Sequence, residues 1–559
     1  MAGILYAPTL GYELVWDDPI SVHRWLPALD SVTAVFFPPA HIPQFPPDYY
    51  RPLQLLSYKL DRAIGGGGAW AFHLSSVLWH VAATTLVYIV GLSLWRGEPF
   101  AARASFVAAL LFAVHPIHTE SVAWMAARPD PMVATFMLTA LCLVLSPRPL
   151  PFVGAAAVAA LVLAALLSKE NAVAAICLLP LAAWWRGRDS RLPQQGHRKV
   201  LQTSTAVLAA SLAYAVLRVF GLANYRLLTP EVSLPPPVLF PAALGWYSWK
   251  VLCPFPQNAF VAEVPQHATY PALALVGLAA TFALMRAALH WRREYWLFCA
   301  AWFWLTLLPS LALLLSSSNA QLAERYLYVP SVAFSWLVGE GIVRLAQGLS
   351  GITRTAFVAL VVAVFASFAV TTVSRSRVWQ NDVALWQDTS AKNPKEGFPL
   401  RNLAAALLER GHHAEAEKML LQALERRNSP AGLYGIFSNL GTVAFLRHDY
   451  GAAGEYYRKA YAQQPTADAA YNLGAAILKS AEALPDAARR GQLLEAQSWF
   501  GRALALSPYD PEVHFGYGQV AALLGDRESA RRHFQRALEL GIRDPQAQHA
   551  RGFLAESTR

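Results

Sequence analysis

Apolar residues run along this chain in long blocks separated by short polar breaks as far as about Ser374, after which the sequence turns charged and alanine-rich. The first pattern suits helices solvated by lipid, and the second suits amphipathic helices in water. The apolar blocks predict ten membrane spans, at 71–95, 104–114, 132–145, 152–167, 172–185, 200–220, 271–290, 295–315, 326–343 and 355–373. Several fall short of the ~20 residues that cross a bilayer, so their ends extend into the flanking loops or the helices are broken. Residues 239–252 are apolar apart from Lys250. They are read as dipping back and not crossing.

Beyond a boundary at 374–379 the pattern repeats itself four times. Leu403 and Ala404 are in register with Ala416, Leu420 and Ala423; Leu440 and Gly441 with Ala453, Tyr457 and Ala460; Leu473 and Gly474 with Ala496, Phe500 and Ala503; and Tyr517 and Gly518 with Ala530, Phe534 and Ala537. Small and aromatic positions recurring together are the signature of tetratricopeptide helical hairpins. Small residues let the paired helices approach, Tyr457 fills the gap and Pro465 closes a repeat. The third repeat carries an insertion at 480–492, expected to form a loop on one face. The predicted organisation is a membrane domain over 1–374, a connector over 375–396, four repeats over 397–545 and a tail over 546–559. The fold class is therefore all-α, a polytopic helical membrane domain followed by an α-solenoid.

Composition agrees with this reading: the chain is 55% hydrophobic and 15% charged, with a mean hydropathy of +0.31. That is too apolar for a soluble protein of 559 residues. The net charge of +10 would suit nucleic acid, but the Lys and Arg residues gather in short loops beside apolar segments, as membrane topology requires. Arg186, Arg188, Arg191, Arg198 and Lys199 crowd one such loop, which is expected to be cytoplasmic. Loops with Arg96 and Arg103, with Arg148, and with Arg292 and Arg293 then share its side, whereas 254–270, without Lys or Arg, faces outward. Cys142, Cys177, Cys253 and Cys299 lie in apolar stretches, where they pack as small hydrophobes and form no disulfide or zinc motif. The first residues lack the basic start and long apolar run of a cleavable signal peptide. Nothing before Asp17 and Asp18 would carry them across a membrane, so a helix is expected ahead of them.

In this orientation five polar clusters meet at the outer face: WDDP at 16–19, YYRP at 49–52, HPIHTE at 115–120 followed by Arg128 and Asp130, SKEN at 168–171 and ERY at 324–326. Any one of them alone reads as a solvated loop, but ionisable groups converging at one membrane face indicate a site. The order WDDP, YYRP, HPIHTESVAW, RPD, SKEN, AERYLYVPS and RVWQNDVALW, leading into the repeats, resembles the transmembrane and tetratricopeptide-repeat protein O-mannosyltransferase family and its bacterial relatives over almost the full chain. That family normally has a helix before its WDD motif. The resemblance implies a glycosyltransferase of the GT-C fold with its active site at the outer membrane face, a dolichyl- or polyprenyl-phosphate sugar donor and an acidic residue in the first outer loop.

Physical reasoning gives the motif residues matching tasks. Transfer from a lipid phosphate needs a base for the acceptor hydroxyl, and Asp17 or Asp18 is the candidate. The two carboxylates could instead share a divalent cation, Mg or Mn, or repel so that one pKa rises. The anionic leaving group needs cations, for which Arg325, Lys169 and Arg51 are suited. A guanidinium at Arg325 can grip phosphate bidentately, whereas Lys169 acts as a point charge; either could instead neutralise Glu324 or Glu170. His115, His118 and Glu120 suggest a metal, but Pro116 breaks helical spacing and no third ligand is apparent; structural or substrate hydrogen bonding is the expected role. Glu120 and Asp130 are candidate second acids that orient the sugar or the base, and Glu170 and Glu324 are counted with them, beside His115 and His118, as substrate-orienting residues. The aromatic loop from Trp16 to Tyr50 could stack on a sugar or settle at the membrane interface.

These readings add up to a bacterial-type inner-membrane enzyme that moves a sugar, mannose by the resemblance, onto a protein Ser or Thr hydroxyl while its repeats dock the acceptor or a partner protein. The alternatives are a GT-C transferase acting on a glycan or lipid, and a non-catalytic membrane scaffold that recruits partners through the repeats. A transporter would place its ionisable residues near the midplane and not at one face.

Overall fold

The computed structural model describes residues 1–39, 42, 45, 50–148, 150–188, 193–223, 239–261, 269–290, 294–312 and 322–556. Tyr49 of the YYRP motif, Arg191, Arg292 and Arg293 lie outside the described residues, as do 262–268 and 313–315 of the segments expected above. Among the described residues all regular structure is helical, the only β-type pairs being isolated bridges. The chain divides into two compact units, Met1–Leu385 and Trp386–Arg559.

In the first unit each expected span has its helix: Ala69–Leu94, Ala101–Val114, Pro129–Leu145, Phe152–Ser168, Ala175–Arg188, Pro193–Gly221, Thr269–His290, Glu294–Ala312, Ser331–Gly348 and Gly351–Ser376. Among the described residues, five helices are long and apolar enough to cross a membrane: Ala69–Leu94, Met125–Leu145, Gln194–Gly221, Thr269–Ala288 and Gly351–Trp379. A sixth forms if Ala101–Val114 and Pro116–Ala123 are one span bent by 51°. The bend falls at Pro116, which has no N–H to continue the ladder. Phe152–Ser168 and Tyr295–Leu311 are apolar but shorter. This is the construction of a membrane protein. Helix Leu239–Leu252 has only 14 residues, about 21 Å of rise, too little to cross a bilayer unaided. Close packing rests on small residues: a Cβ on Gly339 would stand 2.8 Å from the Ala104 carbonyl oxygen and from the Ala108 nitrogen, so glycine alone allows the two helices to cross at this distance.

The helices ending at Val114 and Ser168 and those starting at Pro129, Ala175 and Ser331 meet short 3₁₀ turns at Pro116–His118, Met125–Ala127, Glu170–Ala174 and Glu324–Leu327. Ion pairs between these turns and neighbouring residues, described below, gather them at one end of the bundle. The basic segments gather at the other end. Arg186 donates to the Ser93 carbonyl at 3.3 Å, and Lys199 donates to the Arg148 carbonyl at 3.4 Å.

The second unit stacks the helical pairs Gly397–Glu409 with His413–Leu424, Pro430–Leu446 with Tyr450–Gln463, Ala467–Ala481 with Asp486–Leu506, and Pro511–Leu524 with Arg527–Glu539, followed by Gln546–Glu556. Side-chain caps fix where several of these helices begin: Ser429 accepts from the Gly432 N–H, Asp449 from Ala452, Thr466 from Ala469 and Asp526 from Ser529, all at 3.0 to 3.2 Å. The paired helices touch through glycine against an aromatic ring, as a Cβ on Gly441 would meet the Tyr457 ring at 2.6 Å and one on Gly518 the Phe534 ring at 2.9 Å. Of the insertion at 480–492, only 482–485 forms a turn. Residues 486–492 supply the first turns of Asp486–Leu506, a helix of 21 residues, helped by Ala488, Arg489 and Arg490, all good helix formers.

Candidate active site

A cavity of about 180 Å³ opens at the turn-rich end of the first unit. Asp17, Arg51, Lys169 and Arg325 line it together with Ser21, Trp25, Trp124, Ala126, Ala127 and Tyr326. Motifs more than 300 residues apart in the sequence thus converge on one volume: WDDP on the turn before Asp18–Ile20, YYRP at the start of Pro52–Gly65, SKEN at the end of Phe152–Ser168, and ERY on its 3₁₀ turn.

The two adjacent aspartates part company. Asp17 faces the cavity, whereas Asp18 is fully buried and accepts the Ala126 N–H at 3.0 Å and the Val15 N–H at 3.4 Å. Asp17, with φ −87° and ψ −9°, leads directly into the helical turn Asp18–Ile20, where consecutive side chains point about 100° apart. Before the pair, Trp16 has a φ of 59°, in the left-handed region, which a bulky residue adopts only when its surroundings enforce it. Its N–H donates to Asp382 Oδ1 at 2.9 Å. Its indole stacks on Trp124 with centroids 4.8 Å apart, and Trp379 also stacks on Trp124 at 5.6 Å. Burial pushes the Asp17 carboxyl up to about 6, with Arg325 lowering it and Asp382 raising it. Burial, followed by the neighbouring charge of Asp17, holds Asp18 well above the usual carboxylate range.

Each cation at the cavity is backed by a carboxylate that the sequence had singled out as an orienting acid. Glu120 accepts from the Arg325 guanidinium and, at 3.1 Å, from the Arg325 backbone N–H. Asp130 receives Lys169 Nζ through both oxygens at 2.7 and 2.9 Å. Glu170 receives Arg51 at 3.0 Å and has Arg218 at 3.6 Å; burial raises its pKa, but these arginines outweigh burial and hold it below the ordinary value. Burial works against the Arg325 charge and Glu120 more than restores it. None of the three carboxylates lines the cavity, so cations face inward and their counterions sit behind them. Such an arrangement presents fixed positive charge to an anion without leaving any buried cation uncompensated. Aromatic faces complete the wall, since the Arg325 guanidinium lies 5.2 Å from the Trp124 ring centroid and 4.9 Å from that of Tyr326.

Glu324, His115 and His118 stand apart from the cavity. Glu324 pairs with Lys250 at 2.9 Å and accepts the Asn258 N–H at 3.2 Å, tying helix Leu239–Leu252 to the ERY turn. His115, buried, contacts the Val251 carbonyl through Nε2 at 3.1 Å and caps the following turn by accepting the Ile117 N–H. His118 is bound between the Phe112 carbonyl and Ser331 Oγ, both at 2.8 Å. Both rings are thereby committed to holding the bend at Pro116. Among the described residues no group of three His, Cys, Asp or Glu side chains is placed to hold a metal ion, and Asp18 spends both oxygens on backbone amides. The residues therefore do not fit a divalent cation shared by the aspartate pair, and no chemical step is routed through one.

Ser21, Trp124 and Asp382 were not singled out from the sequence, whereas Trp25 belongs to the aromatic loop and Tyr326 to the ERY cluster named there. Trp124 lies inside the motif HPIHTESVAW, which is the signal that could have found it. Sequence reasoning also passed over Asp61, which pairs with fully buried Arg128 while Ser57, Ser76 and the Phe72 carbonyl take the remaining guanidinium donors.

No protein-family model matches the chain. It is 33% identical over 214 residues to the protein O-mannosyl-transferase Tmtc2 of Drosophila melanogaster, covering 36% of this chain and 22% of that protein. It is 22% identical over 538 residues to the protein O-mannosyl-transferase TMTC3 of Homo sapiens, covering 88% of this chain and 57% of the relative. The chain thus spans less than two thirds of either relative's length. Among solved structures, a thermophilic TPR protein of Thermus thermophilus is 24% identical with a TM-score of 0.24, over 29% of this chain and 80% of that one.

Proposed function

We propose that this chain, a relative of the transmembrane and tetratricopeptide-repeat protein O-mannosyl-transferases, is a GT-C-type membrane glycosyltransferase that moves mannose from a polyprenyl-phosphate donor to a Ser or Thr hydroxyl of an acceptor protein. The observation that carries this reading is the single cavity in which one carboxylate, Asp17, faces three cations, Arg51, Lys169 and Arg325. In the reaction the acceptor oxygen attacks C1 of the sugar as its proton passes to Asp17. The bond from C1 to the phosphate oxygen breaks, and the phosphate leaves with the electron pair. Arg325 and Lys169 neutralise the charge that accumulates there, in a site where fixed donors need no reorganisation. A carboxyl near 6 is ionised at neutral pH yet more basic than an exposed one, which suits a general base. Trp124 and Tyr326 offer flat apolar faces to a sugar ring. The basic end of the bundle faces the cytoplasm, the cavity opens on the extracytoplasmic side of the inner membrane, and the repeats dock the acceptor protein.

The test is transfer of labelled mannose from polyprenyl-phosphate mannose by membranes holding the wild-type chain or Arg325→Ala at equal expression, with protein, glycan and lipid fractions counted separately. Label in the protein fraction that falls about 100-fold or more in the variant supports the reading. Label confined to glycan or lipid would replace the acceptor, and no wild-type transfer would leave the scaffold reading in its place.

A further inference from the structure

Three contacts zip residues 12–16 to residues 376–382, where helix Gly351–Ser376 ends. The Tyr12 hydroxyl lies 3.4 Å from Ser376 Oγ, the Glu13 N–H donates to the Gln380 carbonyl at 3.0 Å, and the Trp16 N–H donates to Asp382 Oδ1 at 2.9 Å. Trp379 completes the attachment, stacking on Trp124, whose ring also stacks with Trp16. These contacts converge where the backbone is least free to choose its conformation, at Trp16 with φ of 59°. A left-handed non-glycine residue costs on the order of 1–3 kcal/mol and persists only when its surroundings over-determine it.

We propose that Asp382 is a positioning residue for Asp17: by accepting the Trp16 N–H it fixes the left-handed turn that delivers the Asp17 carboxylate to the cavity. The inference rests on the reading of Asp17 as the base. Without the Asp382 acceptor the Trp16 N–H has lost this bond, the turn relaxes toward ordinary φ, and the side chain of residue 17 swings with it. Asp382 also acts through charge. The ionisable groups that face Asp17 are Asp18 beside it, Arg325, Arg51 and Lys169 at the cavity, and Asp382. Of these, Asp382 adds negative charge and makes the Asp17 carboxylate a stronger base.

The test compares the full chain with Asp382→Ala and Asp382→Asn, in the same membranes. In mannose transfer, Asp382→Ala is expected to lower kcat about 100-fold, the scale of an ångström's misplacement, with KM for the donor little changed. Asp382→Asn keeps an acceptor oxygen for Trp16 and is expected to recover most of the rate above pH 7, with its acid limb moved to lower pH. A second readout does not depend on transfer: labelling of protonated Asp17 by an apolar carbodiimide, followed by peptide mass spectrometry across pH. Its midpoint is expected to fall by about one unit in Asp382→Asn. The positioning role is overturned if Asp382→Ala matches wild type or if Asn is as impaired as Ala; an unmoved midpoint in Asp382→Asn overturns the role of the charge. Should the wild type transfer nothing while Asp382→Ala, and not Asp382→Asn, changes the rate at which protonated Asp17 is labelled, the positioning of Asp17 stands and the transferase reading alone falls.

Discussion

Asp17 is held where its charge is costly, and that cost has a measurable sign. Its carboxyl, near 6 in the folded protein against an ordinary value near 4, makes folding most favourable when it is protonated. That contribution is present below the unfolded value and is lost as pH rises through the folded one, amounting to up to about 3 kcal/mol. Asp17→Asn, which mimics the protonated form, is therefore expected to melt at a higher temperature than wild type at pH 8 and at the same temperature near pH 4. A lower melting temperature at pH 8 would show that the charged form is structurally required. The motifs were enough to single out the ionisable residues lining the cavity, Asp17, Arg51, Lys169 and Arg325, because such groups stand out in apolar sequence. They could not separate Asp17 from Asp18, since two identical neighbours differ only once the helical turn points one at the cavity and the other at the Ala126 and Val15 amides. Nor could they pair acids with cations, because Arg325 meets Glu120 across 205 residues and Lys169 meets Asp130 across 39.

Helices and the joints between them were largely legible, since each apolar block is a helix and each repeat a hairpin. The exceptions have local causes. Good helix formers at 486–492 extended a helix where a loop was expected, whereas the break at Pro116 was expected, and the hydrogen bonds of His115 and His118 follow the structural one of the two roles the sequence left open. Arg128 is a further case: fully buried, it joins helix Pro52–Gly65 to Ala69–Leu94 by pairing with Asp61 and donating to Ser76 and the Phe72 carbonyl. Asp61 was missed because nothing in its helix marks it as buried until its partner arrives from 67 residues away. Removing one member of such a pair leaves an uncompensated charge, so Asp61→Ala is expected to cost about 3–5 kcal/mol and to lower the melting temperature of the detergent-purified chain sharply. Wild-type melting would mean that water reaches Arg128.

Across the whole molecule, the first unit holds two chemically distinct ends. Cations backed by carboxylates surround a cavity at one end, and Arg186 and Lys199 bind backbone carbonyls at the other. Charge separated in this way along one bundle is what the proposed orientation and the proposed donor-phosphate site require. The repeat unit has its own core, centred on Ala453, Leu473, Ala496 and Phe500, and contributes none of the residues that line the cavity. The chemistry assigned to this chain therefore rests on the first unit and, within it, on Asp17. The most direct measurement is kcat/KM for mannose transfer between pH 5 and 8 in the wild type and in Asp17→Asn. The account predicts a wild-type rate that rises with pH to a plateau with its midpoint near 6, and a variant that is about 100-fold slower or worse with no such rise. An Asp17→Asn variant as fast as wild type, with the same pH profile, would contradict it.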